Sequence, residues 1–435
     1  MHFKLYPGRP GFYFSRMVDC GMDNLSHSLT GLAVGELVHR SVAPEPEAAS
    51  QQVRRRMLLV SCWAASNFPD LDLVFTSLLP RPLGYLLHHR GHTHTLLFAL
   101  PQALLLAALI WLLWPAARRL LATSGNARRA LLYAITLGFL LHLSMDFLNS
   151  YGIHPFYPVD QRWLYGDMVF ILEPVFWIAT GAPLALMVKR KFIGVPLLLL
   201  LTGVPLFAFQ AGFLHWGSLI LLALVGLVAG AAQAHAGTHG RSGLLTGLAA
   251  CLLFVAVQGV GSARGARMLA DELRGRDPAS ELVDAAMSAY PANPLCFNFV
   301  AVERNEAGGT YRLRSGVLGL APAMLAPGQC PAGLSSGSSG RELAPGITLL
   351  LDHDGSLAAL RRLARDNCYF RAWLRFARAP QLTGMLAADS RFSATPRSNF
   401  SAIDLAQFAG KACPQGVPQW DYPRADLLGR ALRQD

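Results

Sequence analysis

Four histidines fall within the seven residues His88-His89-Arg90-Gly91-His92-Thr93-His94, directly before an apolar run at 95–114. Neutral imidazole is the commonest metal ligand in proteins, and lipid-facing helices avoid polar groups. A histidine cluster at a membrane boundary therefore points first to metal binding. Three further pieces could do the same chemistry. His142-x-x-x-Asp146 puts an imidazole and a carboxylate on one helix face, suited to sharing a cation or to a simple hydrogen bond within a bundle. Asn67-Phe68-Pro69-Asp70-Leu71-Asp72 sets two carboxylates beside a helix-breaking proline, where they either bind metal or cap the helix that begins there. His27 stands among small residues, where a lone histidine is ordinarily satisfied within a core.

The elements that must position these residues are membrane helices. Hydrophobic residues make up 52% of the 435 and charged residues 15%, against about 25% charged in a soluble domain. Apolar runs near 95–114, 129–149, 168–188, 193–210, 213–232 and 243–261 each approach the ~20 residues that span a bilayer. Segments 24–39 and 57–79 are apolar but interrupted. The expected fold is mostly α: a polytopic helical membrane bundle over 22–263, then a small extracytoplasmic α+β domain over 264–435. Residues 1–21 contain no uninterrupted apolar core of signal-peptide type. They read as a disordered tail, or Met22 is the true start, with Asp23 or Asn24 capping the first helix.

Basic residues orient the bundle. Arg54-Arg55-Arg56, then Arg118, Arg119, Arg128 and Arg129, then Lys189-Arg190-Lys191 can all lie on the cytoplasmic side with one threading. Loops 80–93 and 150–167, and the chain from about Ser262 onward, then face outward. The net charge of +11 is on this reading a topology signal, and nothing suggests a nucleic-acid module. Cys296, Cys330, Cys368 and Cys413 all fall in the outward tail, which suggests two disulfides with three connectivities open. Cys20, Cys62 and Cys251 are scattered elsewhere. Within the tail, 268–290 reads as helix, 297–303 and 310–314 alternate as strands about a turn at 305–309, 327–340 is a Pro/Gly/Ser-rich loop, and 356–365 reads as a short helix.

Depths can be compared at ~1.5 Å per helical residue. His142 and Asp146 lie about 20 and 26 Å from Arg129, Asp70 and Asp72 roughly 21 and 24 Å from Arg56, and His27 about 20 Å from Arg40. His89 and His94 sit at the outer end of their own span. Seven ligand candidates, His27, Asp70, Asp72, His89, His94, His142 and Asp146, thus converge on one outer layer. Buried carboxylates and histidines are costly in lipid unless paired or metal-bound.

The order of these pieces resembles the YdjM-like inner-membrane proteins, described as metal-dependent hydrolases. The motifs are Met22-Asp23-Asn24-Leu25-Ser26-His27-Ser28-Leu29, Pro69-Asp70-Leu71-Asp72, His89-Arg90-Gly91-His92-Thr93-His94 and His142-x-x-x-Asp146. Asp146-Phe147-Leu148-Asn149-Ser150-Tyr151-Gly152 and Phe170-Ile171-Leu172-Glu173-Pro174 extend the likeness, which covers roughly 22–180. It implies an inner-membrane location and a site made of the same seven residues. Glu173 stands where an aspartate is more usual.

A mixed histidine and carboxylate set suits zinc, or another divalent ion such as manganese. Seven candidates exceed the ligands of one tetrahedral ion, so either two ions share a carboxylate such as Asp72 or Asp146, or some candidates orient the rest. A metal there would activate water for hydrolysis. Arg90 would stabilise an anionic phosphoryl or tetrahedral centre, or else contact headgroups. Glu173 would serve as a base, as an orienting group, or simply as the helix residue before Pro174. The depth suits membrane lipids as partners, with a lipid or lipid-linked ester or phosphoester as substrate. His88 and His92 would line the entrance. Metal-free lipid phosphatases also use His-x-x-x-Asp, but no Ser-Arg pair precedes His142 at the needed spacing. Two other classes are a non-catalytic metal-binding assembly or sensor protein and a metal transporter. The transporter is disfavoured because the inner halves of the spans are almost wholly apolar.

Overall fold

A computed structural model describes residues 23–334, 340–393 and 399–429. The expectations for 1–21, Cys20 and the end of the 327–340 loop lie outside these residues. Among the described residues, five helices are long and apolar enough to cross a membrane. They are α4 (Leu96–Leu113), α6 (Gly125–Phe147), α8 (Lys191–Gln210), α9 (Trp216–Ala236) and α10 (Ser242–Arg276). Before and between them run α1 (Asp23–Ser41), α2 (Ala48–Ala65), α3 (Leu83–His88), α5 (Pro115–Thr123) and α7 (Pro174–Met187). Helix α1 is described from Asp23 onward, so Asn24 lies inside it.

Segment 57–79 is not one continuous apolar element. Helix α2 ends at Ala65, and Pro69, which has no N–H to extend a helix, opens a separate 3-10 segment, Pro69–Leu78. The run at 168–188 is also shorter than expected. Residues Met168 and Val169 instead hydrogen-bond to the Leu148 carbonyl, and α7 starts at Pro174.

Helices α1, α2 and α6 make the core that matters for the site. Their close approach depends on two glycines. A Cβ on Gly31 would lie 2.1 Å from Ser66 Oγ, and one on Gly138 would lie 2.6 Å from Ala65 Cβ. Without side chains there, α1 and α6 both reach the end of α2, bringing His27 and His142 to the same level.

Helix α10 runs unbroken to Arg276, and the C-terminal sheet follows. Strands β1 (Glu281–Tyr290), β2 (Asn293–Asn305), β3 (Thr310–Gly319), β4 (Arg341–Ala344) and β5 (Ile347–Ser356) form an antiparallel sheet in the order β1-β2-β3-β5-β4. The helix expected over 268–290 therefore ends at Arg276. The stretch Glu281–Tyr290 is a strand, because it pairs along its length with β2 from Glu281↔Arg304 to Tyr290↔Asn293. The hairpin of β2 and β3 matches the alternation read from sequence. Helices α11 (Leu357–Asp366) and α12 (Cys368–Leu374) and a small sheet of β6 (Pro380–Thr383), β7 (Leu386–Asp389) and β8 (Ile403–Asp404) complete the domain, with α13 (Ala425–Leu428) near its end. The four cysteines pair as Cys296–Cys330 and Cys368–Cys413.

This domain is docked on the bundle by buried polar contacts. Trp163 Nε1 donates to the Arg375 carbonyl at 2.7 Å, and Arg391 donates to the Ser150 carbonyl at 2.7 Å. Arg378 pairs with Asp167 and Asp284 at 2.8 and 2.7 Å. Burial pushes the Asp167 carboxyl up, outweighing Arg378. Burial acts on Asp284 in the same sense, but Arg378 and then Arg424 prevail and hold its carboxyl below the usual range.

Candidate metal centre

Asp70, His94, His142 and Asp146 offer one ligand atom each, all within 4.8 Å of one another. Each arrives from a different local structure, apart from the two on α6. Asp70 sits in the first turn of the 3-10 segment behind Pro69. His94 closes the short 3-10 turn His92–His94. His142 and Asp146 lie one turn apart on the buried face of α6.

Both imidazoles are oriented through Nδ1. That of His142 lies 2.8 Å from the Ser66 carbonyl, which can only accept, so it carries the proton. That of His94 lies 3.2 Å from Asp72 Oδ2 and 3.0 Å from Thr93 Oγ1, whose own hydroxyl donates to Asp72 at 2.7 Å. Each Nε2 is thereby left with a lone pair aimed inward, and the two lie 3.0 Å apart. Asp146 Oδ2 stands 3.0 Å from His94 Nε2 and 3.4 Å from His142 Nε2. It is buried and takes no hydrogen bond. Asp70 Oδ1 lies 3.3 and 3.7 Å from the same nitrogens. Two nitrogen lone pairs and two carboxylate oxygens converge in a site of which only Asp70 keeps appreciable exposure. A single divalent cation would satisfy all four, and the donor set fits one.

The other three sequence candidates stand beside the cluster. His27 is wholly buried, with Nε2 3.3 Å from Asp146 Oδ1 and its ring stacked on His142 at 4.3 Å. Asp72 accepts from His89 Nδ1 at 3.0 Å and from the Arg90 backbone N–H at 3.0 Å, besides orienting His94. It lies behind His94, outside the four-atom cluster. His89 is held by Asp72 and is likewise outside that cluster.

Arg90 is not at a headgroup surface. It is 3% exposed, and its guanidinium meets Asp146 Oδ1 at 2.8 Å and Asn149 Oδ1 at 3.0 Å. Its backbone is left-handed, with φ +58°. That conformation costs a non-glycine about 1–2 kcal/mol. The inward turn places the guanidinium against Asp146, and removing that partner would leave a buried carboxylate uncompensated, at a cost of about 3–5 kcal/mol.

Glu173 is placed away from this chemistry. Its carboxylate caps α7 through the Val175 N–H at 3.1 Å and accepts from the Ala292 N–H at 3.0 Å. It ties the bundle to the β1–β2 turn and does not join the cluster. His92, expected to line an entrance, packs its ring 5.1 Å from Trp420 and 5.2 Å from Tyr157.

Sequence reasoning missed Ser66, Thr93 and Asn149. Ser66 orients His142 with a backbone carbonyl, which leaves no trace in residue type. Asn149 was within reach, because it follows Asp146 by three residues in a polar stretch at the end of an apolar run.

Fold and site together define a polytopic membrane protein with a His/Asp cluster, a possible metal centre, at one end of the bundle and a sheet-rich domain packed over that end. Residues 22–217 match the family model for the YdjM inner membrane protein. It is similar to the uncharacterized protein YfhP of Bacillus subtilis (strain 168), at 25% identity over 165 residues. That match covers 38% of this chain and 46% of the relative, so it spans less than half of the relative's length. No solved structure matches the chain.

Proposed function

We propose that this protein is an integral inner-membrane, metal-dependent hydrolase whose centre lies at the outer boundary of the bilayer and acts on a lipid or lipid-linked ester or phosphoester. The observation that carries the reading is the 3.0 Å approach of His94 Nε2 to His142 Nε2, with both Nδ1 atoms already committed. Asp70, His94, His142 and Asp146 would hold one zinc or manganese ion. Such an ion polarises a carbonyl or phosphoryl oxygen and lowers the pKa of water. Asp72 and Ser66 fix the two imidazoles, and Arg90 neutralises the Asp146 oxygen that faces away from the imidazoles. His27 closes that side of the centre.

An extracytoplasmic C-terminal domain is part of the proposal. It is supported by the two disulfides and by the position of Arg128 and Arg129 at the start of α6, the end opposite Asp146. A second reading, a metal-holding assembly or sensor protein, is favoured by the count of four protein ligands, which saturates a tetrahedral ion.

Metal content of the purified protein, with a hydrolysis screen over phospholipids and lipid-linked phosphoesters, tests both. Bound metal with turnover supports the hydrolase, and bound metal without turnover on any class supports the second reading. A wild-type protein that retains no divalent metal would sink both. Thiol labelling of the native protein tests topology: free sulfhydryls at Cys296, Cys330, Cys368 and Cys413 would count against an external domain.

A further inference from the structure

We infer that the centre is entered sideways from the bilayer, across Pro69–Leu78, and that its substrate is an amphiphile whose polar group lies close to its apolar chain. This rests on reading the cluster as a metal site. The first support is depth. Each element that brings a residue to the centre exposes a large apolar side chain within two residues of it. Leu25 is 40% exposed beside His27, Leu71 59% beside Asp70, Leu96 45% beside His94, and Leu140 45% beside His142. Burying such surface in hydrocarbon gains about 25 cal/mol per Å², so acyl chains reach the level of the centre itself.

The end of the bundle above it is covered. Trp420 stacks on His154 at 4.3 Å and would meet any side chain on Gly91 at 3.1 Å. Arg391 holds the Ser150 carbonyl beside Asn149. Of the four cluster residues, Asp70 keeps 11% exposure, while His94, His142 and Asp146 keep 0, 0 and 1%. The open side of the centre is therefore the side on which the 3-10 segment lies.

That segment is built for lipid. Ten residues at ~2 Å rise reach about 20 Å, too short to cross ~30 Å of hydrocarbon. It buries Pro69 and Asp72 and exposes Leu71, Leu73, Val74, Phe75 and Leu78. Its two hydroxyls are satisfied internally, Thr76 donating to the Leu73 carbonyl at 2.8 Å and Ser77 to that of Val74 at 3.3 Å. Internal satisfaction of polar groups is what a bilayer demands and water does not. The exposed apolar side chains Leu97, Leu100 and Leu104 on α4 provide the same kind of surface beside His94. The occupant is the acyl region of the leaflet on the C-terminal-domain side.

The test uses full-length protein in phospholipid nanodiscs, with Cys20, Cys62 and Cys251 replaced by alanine. Nitroxides at Val74→Cys and Phe75→Cys are compared with Leu104→Cys as lipid reference and Val159→Cys as aqueous reference. Collision with oxygen like the Leu104 label is expected. Collision with a water-soluble nickel chelate like the Val159 label, or shielding from both probes, would overturn the inference. In a second arm, zinc-loaded protein should lose metal to bilayer-partitioning phenanthroline faster than to EDTA, and Leu71→Trp should slow only the phenanthroline loss. Equal stripping by both chelators, or no effect of Leu71→Trp, would also overturn it. A wild type that binds no zinc removes the metal reading on which the inference rests, and the nitroxide arm then still reports where the segment lies.

Discussion

The Nε2 atoms of His94 and His142 face each other at 3.0 Å, while a carboxylate and a backbone carbonyl take up their Nδ1 protons. At most one proton can lie between two such nitrogens, and two carboxylate oxygens crowd the same space. Chain segments 48 residues apart are held in an arrangement that a cation would stabilise and that mutual lone-pair repulsion would open.

The sharpest consequence concerns the ligands. His142→Ala and Asp146→Ala should each abolish metal retention through purification, read by elemental analysis. Asp70→Ala should weaken it less, since its carboxylate is the outermost and most distant of the four. Wild-type metal content in both α6 variants would exclude the site.

Asp72→Asn separates orienting from ligating residues. The carboxylate lies behind His94, so its loss should lower metal affinity about 10- to 100-fold without abolishing binding. A competition titration with a chromogenic chelator measures this. Complete loss, equal to that of Asp146→Ala, would show that Asp72 is itself a ligand.

Arg90→Ala leaves Asp146 buried without its 2.8 Å partner and should destabilise the metal-free protein by about 3–5 kcal/mol. Added zinc should recover part of that loss, because the ion supplies the missing positive charge. Arg90→Lys should rescue poorly, since an ammonium cannot form the fork that reaches both Asp146 and Asn149. Thermal melts with and without zinc give the readout.

Asp284 carries a pH signature. Its carboxyl is held below the usual range despite burial, chiefly by Arg378. Its contribution is full above the unfolded value of about 3.9 and is lost as pH falls through the folded value. Asp284→Asn should therefore lower stability near neutrality and flatten the acid loss of the C-terminal domain. Asp167, pushed up by burial, acts in the opposite sense, so the difference between wild type and Asp284→Asn is the quantity to measure. Parallel curves for the two proteins would refute the assignment.

Much of the architecture was legible because its causes are local. Unbroken apolar runs marked α4, α6, α8 and α9, and alternation marked the β2–β3 hairpin. The failures have non-local causes. The Ala-rich stretch that becomes β1 has weak strand propensity, and only pairing with β2 makes it a strand. The run at 168–188 was apolar throughout, yet its first residues are held by the Leu148 carbonyl, so α7 begins late.

The sequence by itself determined that His and Asp residues from four separated segments must meet at one membrane level, since unpaired polar groups cannot rest in lipid. It also narrowed the cysteine pairing to three connectivities. Tertiary structure alone decided which candidates touch. Asp70 and Asp72 are two residues apart on one 3-10 turn, yet one faces the cluster and the other stands behind His94. His89 and His94 divide in the same way, Arg90 turns inward to Asp146, and Glu173 goes to the β1–β2 turn. Residue type supplies the chemistry of each group. Its direction depends on contacts as distant as Ser66 to His142, 76 residues apart, which only the packed chain brings together.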